Sequence, residues 1–363
     1  VSAGWGHTLV VNAHGSVFAW GDESCCRLGL AEAAPARPVV PTMQQQWHVV
    51  AQVSAGGAFS LAVTSTGMLF SWGSDAHGQC GHGGGGTVAR PRCVRRLLGW
   101  TVRQASAGNS HSLVVVRRGF VFAFGAGSFG KLGQGHTRHC LVPTLLQCLA
   151  ADPAVPIVEA SAGGTHSLAL TQAGDVYAFG CGEQGQLGHG SLLGRLLPCK
   201  VPIDGGKIVQ VVAGGEHSLA LRLNGQVWGW GANNAGQLGR NHTDGEPSPR
   251  MVMALAGLGV VRLAAGAASS FAVTSYGEVL SWGHGGDGAL GHGSHDKDDK
   301  LTPTGPPPAD VMPLCVDQLS AGGAHVVACT PTGDVHHRDF FTWGRGPRGQ
   351  LGHGASVVEA CVP

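Results

Sequence analysis

One phrase of residues recurs seven times along this chain, and that recurrence constrains the fold more than any other feature. An Ala-Gly pair leads into a short segment, a turn containing glycine, a second segment ending in Trp-Gly or Phe-Gly, and then Leu-Gly. The alanines are Ala3, Ala55, Ala107, Ala162, Ala213, Ala265 and Ala321, separated by 52, 52, 55, 51, 52 and 56 residues. The aromatic residues are Trp20, Trp72, Phe124, Phe179, Trp230, Trp282 and Trp343; six lie 17 residues after their alanine and the seventh lies 22 after. A further landmark follows each aromatic by eight residues: Leu28, Cys80, Leu132, Leu187, Leu238, Leu290 and Leu351. A period near 50 with fixed internal spacing and variable linkers marks a propeller or solenoid, which overrides the length-based expectation of two or three domains.

Within one repeat, His166-Ser-Leu-Ala-Leu-Thr171, a turn through Gly174, and Asp175-Val-Tyr-Ala-Phe179 read as a β-hairpin. No segment carries ten residues at helical period, so the architecture is all β. One strand entering each Ala-Gly, the two hairpin strands and one after the proline near Pro38, Pro91, Pro143, Pro198, Pro249 and Pro303 make about four antiparallel strands per repeat. Seven such units predict a single seven-bladed β-propeller over 1–363, with repeats starting near 1, 53, 105, 160, 211, 263 and 319. Composition agrees: 61 glycines supply turns, and only 12% of residues are charged against roughly 25% in an average domain. Only 12 residues follow Leu351, whereas earlier repeats have 26 to 31 between this landmark and the next Ala-Gly alanine. The last blade is therefore expected to lack its post-proline strand and to be closed by sequence outside these residues, because an open propeller leaves a bare edge.

The phrase Ser161-Ala-Gly-Gly-Thr-His-Ser-Leu-Ala-Leu170, with Phe179-Gly180 and Gly185-Gln-Leu-Gly-His-Gly190, resembles the regulator of chromosome condensation repeat. The resemblance covers essentially the whole chain and implies the same seven-bladed fold. It also implies one specific activity, guanine-nucleotide exchange on a Ran-like small GTPase, which is known for the founding member. A third role in the resembled family, ultraviolet sensing, requires tryptophans clustered on one face. Here only Trp5 follows an Ala-Gly pair; Gly57, Asn109, Gly164, Gly215, Ala267 and Gly323 occupy the other positions.

The residues themselves point away from catalysis. Five of the 19 histidines, His7, His111, His166, His217 and His325, share one repeat position, with Phe59 and Ser269 in the other two slots. Metal ligands must converge within about 2 Å of one ion, whereas equivalent positions in a propeller spread around a ring. These histidines are read as satisfying backbone groups at each blade's inner turn, and His82, His189, His292 and His353 as part of the turn grammar. Ser112, Ser167 and Ser218 beside histidine are triplicated, unlike a nucleophile, and Gly83 to Gly86 opens no helix for a phosphate. No catalytic residue, metal or cofactor is assigned.

The expected function is a protein-protein interaction scaffold within a multi-subunit assembly, with a small GTPase as the alternative partner. A net charge of +1 gives no general affinity for nucleic acid beyond a local Arg patch. Eleven cysteines without paired spacing suggest reduced thiols, hence an intracellular, cytoplasmic setting with cytoskeletal, ciliary or nuclear variants. No run of 18 apolar residues is present to insert into a membrane. Departures from the repeat mark candidate partner contacts, because loops carry function. Arg92, Arg95 and Arg96, with Arg90, Arg103, Arg117 and Arg118, concentrate seven of 23 basic residues. The seventh hairpin holds five extra residues around His336, His337, Arg338, Asp339 and Phe340. The loop from His295 to Pro308 is charged and then proline-rich.

Overall fold

A computed structural model describes residues 1–30, 49–150, 155–293, 298–305, 315–331, 338–353 and 359–360. They form seven antiparallel sheets, six of four strands and one of three, each with its strands in chain order. Blade four is representative: Ile157–Ala162, His166–Thr171, Val176–Gly180 and Arg195–Lys200 run from the hub to the rim. The second strand of most blades is buried at every position, because both faces of the sheet are covered by neighbouring blades. This explains why His-Ser-Leu-Ala-Leu reads as a continuous run rather than an alternating one. The core lies between blades. Leu168 and Ala178 of blade four pack with Ala220 and Trp230 of blade five, for example. The glycine after each landmark makes room for that aromatic residue. Gly188 adopts φ +74°, and a Cβ there would lie 2.8 Å from Trp230 Nε1.

Rotation rather than stacking is decided at the hub, where all seven Ala-Gly pairs line one narrow axial cavity of about 80 Å3. A closed circuit of backbone hydrogen bonds surrounds it. The N–H after each Ala-Gly donates to the Ala-Gly glycine carbonyl of the next blade: Trp5 to Gly56, Gly57 to Gly108, Asn109 to Gly163, Gly164 to Gly214, Gly215 to Gly266, Ala267 to Gly322 and Gly323 back to Gly4, at 3.1 to 3.3 Å.

Two expectations are corrected. The last blade has four strands from within these residues: Gln318–Ala321, His325–Pro331, Arg338–Arg345 and Glu359–Ala360, the last pairing Gly344 with Ala360 and Arg345 with Glu359. A two-residue strand without a proline landmark suffices. The fourth strand expected near Pro38 in blade one lies outside the described residues. The rim strands also contain their prolines instead of following them, as in Thr87–Cys93 with Pro91 and Cys140–Leu145 with Pro143. Each sits on an edge strand at a register shift, where no ladder N–H is required.

Candidate protein interface

The five recurring histidines join blades through hydroxyls. His7 Nε2 bonds Ser60 Oγ at 2.9 Å, His111 bonds Ser167, His166 bonds Ser218, His217 bonds Ser270, and His325 closes the ring onto Thr8 Oγ1 at 2.9 Å. Each hydroxyl in turn donates to a backbone carbonyl, Arg27 for Ser60 and Gln186 for Ser218. The hydroxyl proton is thereby committed, so Nε2–H must be the donor to it. Nδ1 of all five is enclosed without a partner. Protonation would bury a charge and an unsatisfied N–H, and burial pushes His7 and His166 down to about 3 and His217 and His325 to about 4. The partner is thus a side chain on the next blade, not the backbone expected from sequence. His82, His292 and His353 likewise bind Ser71, Ser281 and Thr342 within their own blades. Among the described residues no group of three or more His, Cys, Asp or Glu is placed to hold a metal ion.

One face of the disc is bounded by the segments after Ala-Gly. A depression of about 570 Å3 there includes Trp5, which is 55% exposed, with Arg27, Arg345 and Arg348. Asp22 accepts ion pairs from Arg27 and Arg348, so much of this positive charge is compensated.

The opposite face carries the hairpin turns and the links from each rim strand to the next hub strand. It brings together most of the basic residues singled out from sequence. Arg95 and Arg96 lie in the turn Arg95–Leu97 after the rim strand of blade two, Arg103 near the start of the hub strand Val102–Ala107, and Arg117 and Arg118 at the hairpin of blade three. All five are exposed and none forms an ion pair with a described residue. Arg103 and Arg117 line a groove of about 390 Å3 with Gln52, Gln104 and Val158. Arg92, by contrast, projects from the rim strand, paired with Ser71. In the seventh hairpin, Arg338 pairs with Pro331 and Asp339 with Thr330, extending the ladder; Asp339 and Phe340 are exposed at that end of blade seven, apart from the arginines. His336 and His337 lie outside the described residues, as do 295–297 and 306–308 of the segment from His295 to Pro308, whose middle is not loop but the rim strand Lys300–Thr304 of blade six.

Beside Arg103 sits Glu159 of blade four. Gln52, Gln104 and Gln210, at the same repeat position, each donate to a carbonyl and accept from the N–H of one residue on the next blade. Glu159 accepts from the Val211 N–H, and burial pushes its carboxyl up to about 7, against a smaller opposing effect of Arg103.

The profile of the RCC1-like domain matches residues 91–363, and two profiles of the regulator of chromosome condensation (RCC1) repeat match 66–115 and 1–25 with 50–79. The chain belongs to the RCC1-like family. E3 ubiquitin-protein ligase HERC2 of Homo sapiens is 32% identical over 357 residues, 96% of this chain but 7% of that protein. The Ultraviolet-B receptor UVR8 of Arabidopsis thaliana is 31% identical over 360 residues, 98% of this chain and 79% of that one. Among solved structures, Prp20p of Saccharomyces cerevisiae superposes with a TM-score of 0.84 at 23% identity, over 98% of this chain and 86% of that one. Human WBSCR16 gives 0.81 at 26% identity, over 92% and 86%.

In this RCC1-like propeller a stronger charge signal runs through the sequence than the arginine cluster alone. No Asp or Glu occurs between Asp75 and Asp152, whereas nine of the 23 Lys and Arg residues do, leaving 14 to balance all 22 acids elsewhere. A near-zero net charge conceals a disc that is basic around blade three and acidic over the rest. An acid-free window would have revealed it.

Proposed function

We propose that this chain is a non-catalytic protein-interaction scaffold that engages partners through its hairpin-turn face, as one component of a larger assembly. The observation that carries the reading is the exposed arginine set on that face, which forms no ion pair with a described residue, held on a ring whose histidines are committed to structure. A rigid platform presents such charges without the ordering cost of a flexible loop, which favours association. The ten described cysteines are free thiols, which supports a reducing intracellular setting such as the cytoplasm.

The test is quantitative affinity capture by this chain and by an Arg95→Glu, Arg96→Glu, Arg118→Glu variant with an unchanged melting temperature. Loss of a reproducible partner set by the variant supports the scaffold. An unchanged set removes the turn face from consideration, and accelerated nucleotide release from a Ran-like small GTPase would replace the scaffold with an exchange factor.

A further inference from the structure

The turn face has two sectors of opposite chemistry. Over blades two and three it presents the arginines and the groove holding Arg103 and Arg117. Over blades five and six it presents Leu223 and Tyr276, 74% and 78% exposed at successive hairpin turns, with exposed Leu258, Val261 and Met253 beside them. The hairpin after Leu223 packs on the blade-six entry, where a Cβ at Gly225 would lie 3.3 Å from the Val260 carbonyl oxygen. The blade-five hairpin therefore borders the entry of blade six, the segment that carries Leu258 and Val261. Between the sectors, the blade-four hairpin exposes the neutral Gln172 and Ala173, with Asp175 paired to Lys200 and exposed Lys207 packed on Gly174. From blade three to blade six the second position of the hub strand reads Arg103, Val158, Val209 and Val261, whereas blade two has Ala51 there.

We infer that the turn face takes a single extended segment of a partner protein, with carboxylates at one end against Arg103 and Arg117 and large apolar side chains at the other against Leu223 and Tyr276. The proposal rests on the scaffold reading and names the chemistry of its partner. Unpaired exposed cations select carboxylates, and an exposed aromatic beside aliphatic residues has the composition of an interface anchor. A uniformly charged polyanion would leave the apolar side chains unused, and the exposed charges near them are of both signs, Asp204 and Glu278 with Lys207 and Arg262.

The probes are three fluorescent synthetic peptides of about twenty residues: acidic then Leu/Phe-rich, acidic throughout, and lysine-rich then Leu/Phe-rich. Single-stranded DNA of similar length serves as a fourth, and binding is read by anisotropy. The acidic-apolar peptide is expected to bind about tenfold tighter than the others. Arg103→Glu with Arg117→Glu should weaken both acidic peptides about tenfold. Leu223→Asp with Tyr276→Asp should bring the acidic-apolar peptide to the level of the all-acidic one and leave the latter unchanged. Equal binding of the two acidic peptides, equal binding of DNA, absence of binding, or indifference to either pair of substitutions overturns the proposal. If it falls while the capture experiment still loses partners, the scaffold reading stands with a partner of different chemistry.

Discussion

Glu159 occupies a position where the propeller asks for an amide. At Gln52, Gln104 and Gln210 one side chain both donates to and accepts from the next blade's backbone. A carboxylate can accept from the Val211 N–H but has no proton for a carbonyl, whereas a neutral carboxyl reproduces the amide's pattern. Because burial raises the folded carboxyl to about 7 from an ordinary value of 4.5, the unfolded chain releases its proton first as pH rises. Stability attributable to this group therefore falls between about pH 4.5 and 7 and stays low above. Glu159→Gln supplies the missing donor permanently. Urea titrations should find the variant more stable than the parent by about 1–2 kcal/mol at pH 8, a figure discounted for partial exposure, with the difference shrinking toward pH 5. An equal gain at both pH values would show that the carboxyl does not titrate as argued.

Between blades, one carbonyl serves two donors. The Gln186 oxygen accepts from Ser218 Oγ at 2.8 Å and Trp230 Nε1 at 2.9 Å, while His166 Nε2 reaches the same serine. At the junction of blades six and seven the pair is replaced jointly, with Ser269 in the histidine slot and Val326 in the serine slot. Ser218→Val alone would strand the His166 N–H and should cost about 2–3 kcal/mol in chemical denaturation. Adding His166→Ser recreates the natural Ser269 and Val326 combination and should recover about 1 kcal/mol of that loss, a coupling that a double-mutant cycle measures. Strictly additive costs would contradict the bridge. These fixed contacts explain why the blades were legible from spacing: Trp, Ser and Leu-Gly meet across blades only if their offsets hold. The two-residue strand Glu359–Ala360 was illegible because it lacks every landmark. The apolar sector was equally hidden, since Leu223 and Tyr276 lie one repeat apart and reach the same face of adjacent blades only through rotation. The arginines, clustered in sequence, could be seen, but the face they share emerges only once the hairpin turns are placed on one side of the disc.

Five of the seven junctions between blades are held by groups that cannot be charged in place. Five histidines bridge neighbouring blades, one of them across the closure from His325 to Thr8. Burial depresses them to about 3 or 4 where a value is resolved, and His111 also lies well below the ordinary 6.5. For a base depressed in the folded state, the unfolded chain binds the proton first as pH falls. Stability is then full above about 6.5 and lost progressively below it. At pH 5 His7, His166, His217 and His325 each forfeit about 2 kcal/mol, so the four together approach 8, comparable with the entire stability of an ordinary domain, and His111 adds in the same direction. Blades cannot let go singly, because each bridge also seats a neighbour and the backbone circuit has no free end. Acid should therefore unfold the propeller in one steep transition near pH 5, with uptake of several protons, followed by tryptophan fluorescence and circular dichroism together. His217→Gln removes one titrating group and should reduce the steepness by about one proton. Coincident signals that persist to pH 4, or a shallow transition involving a single proton, would mean that the histidine ring does not govern the cohesion of the disc.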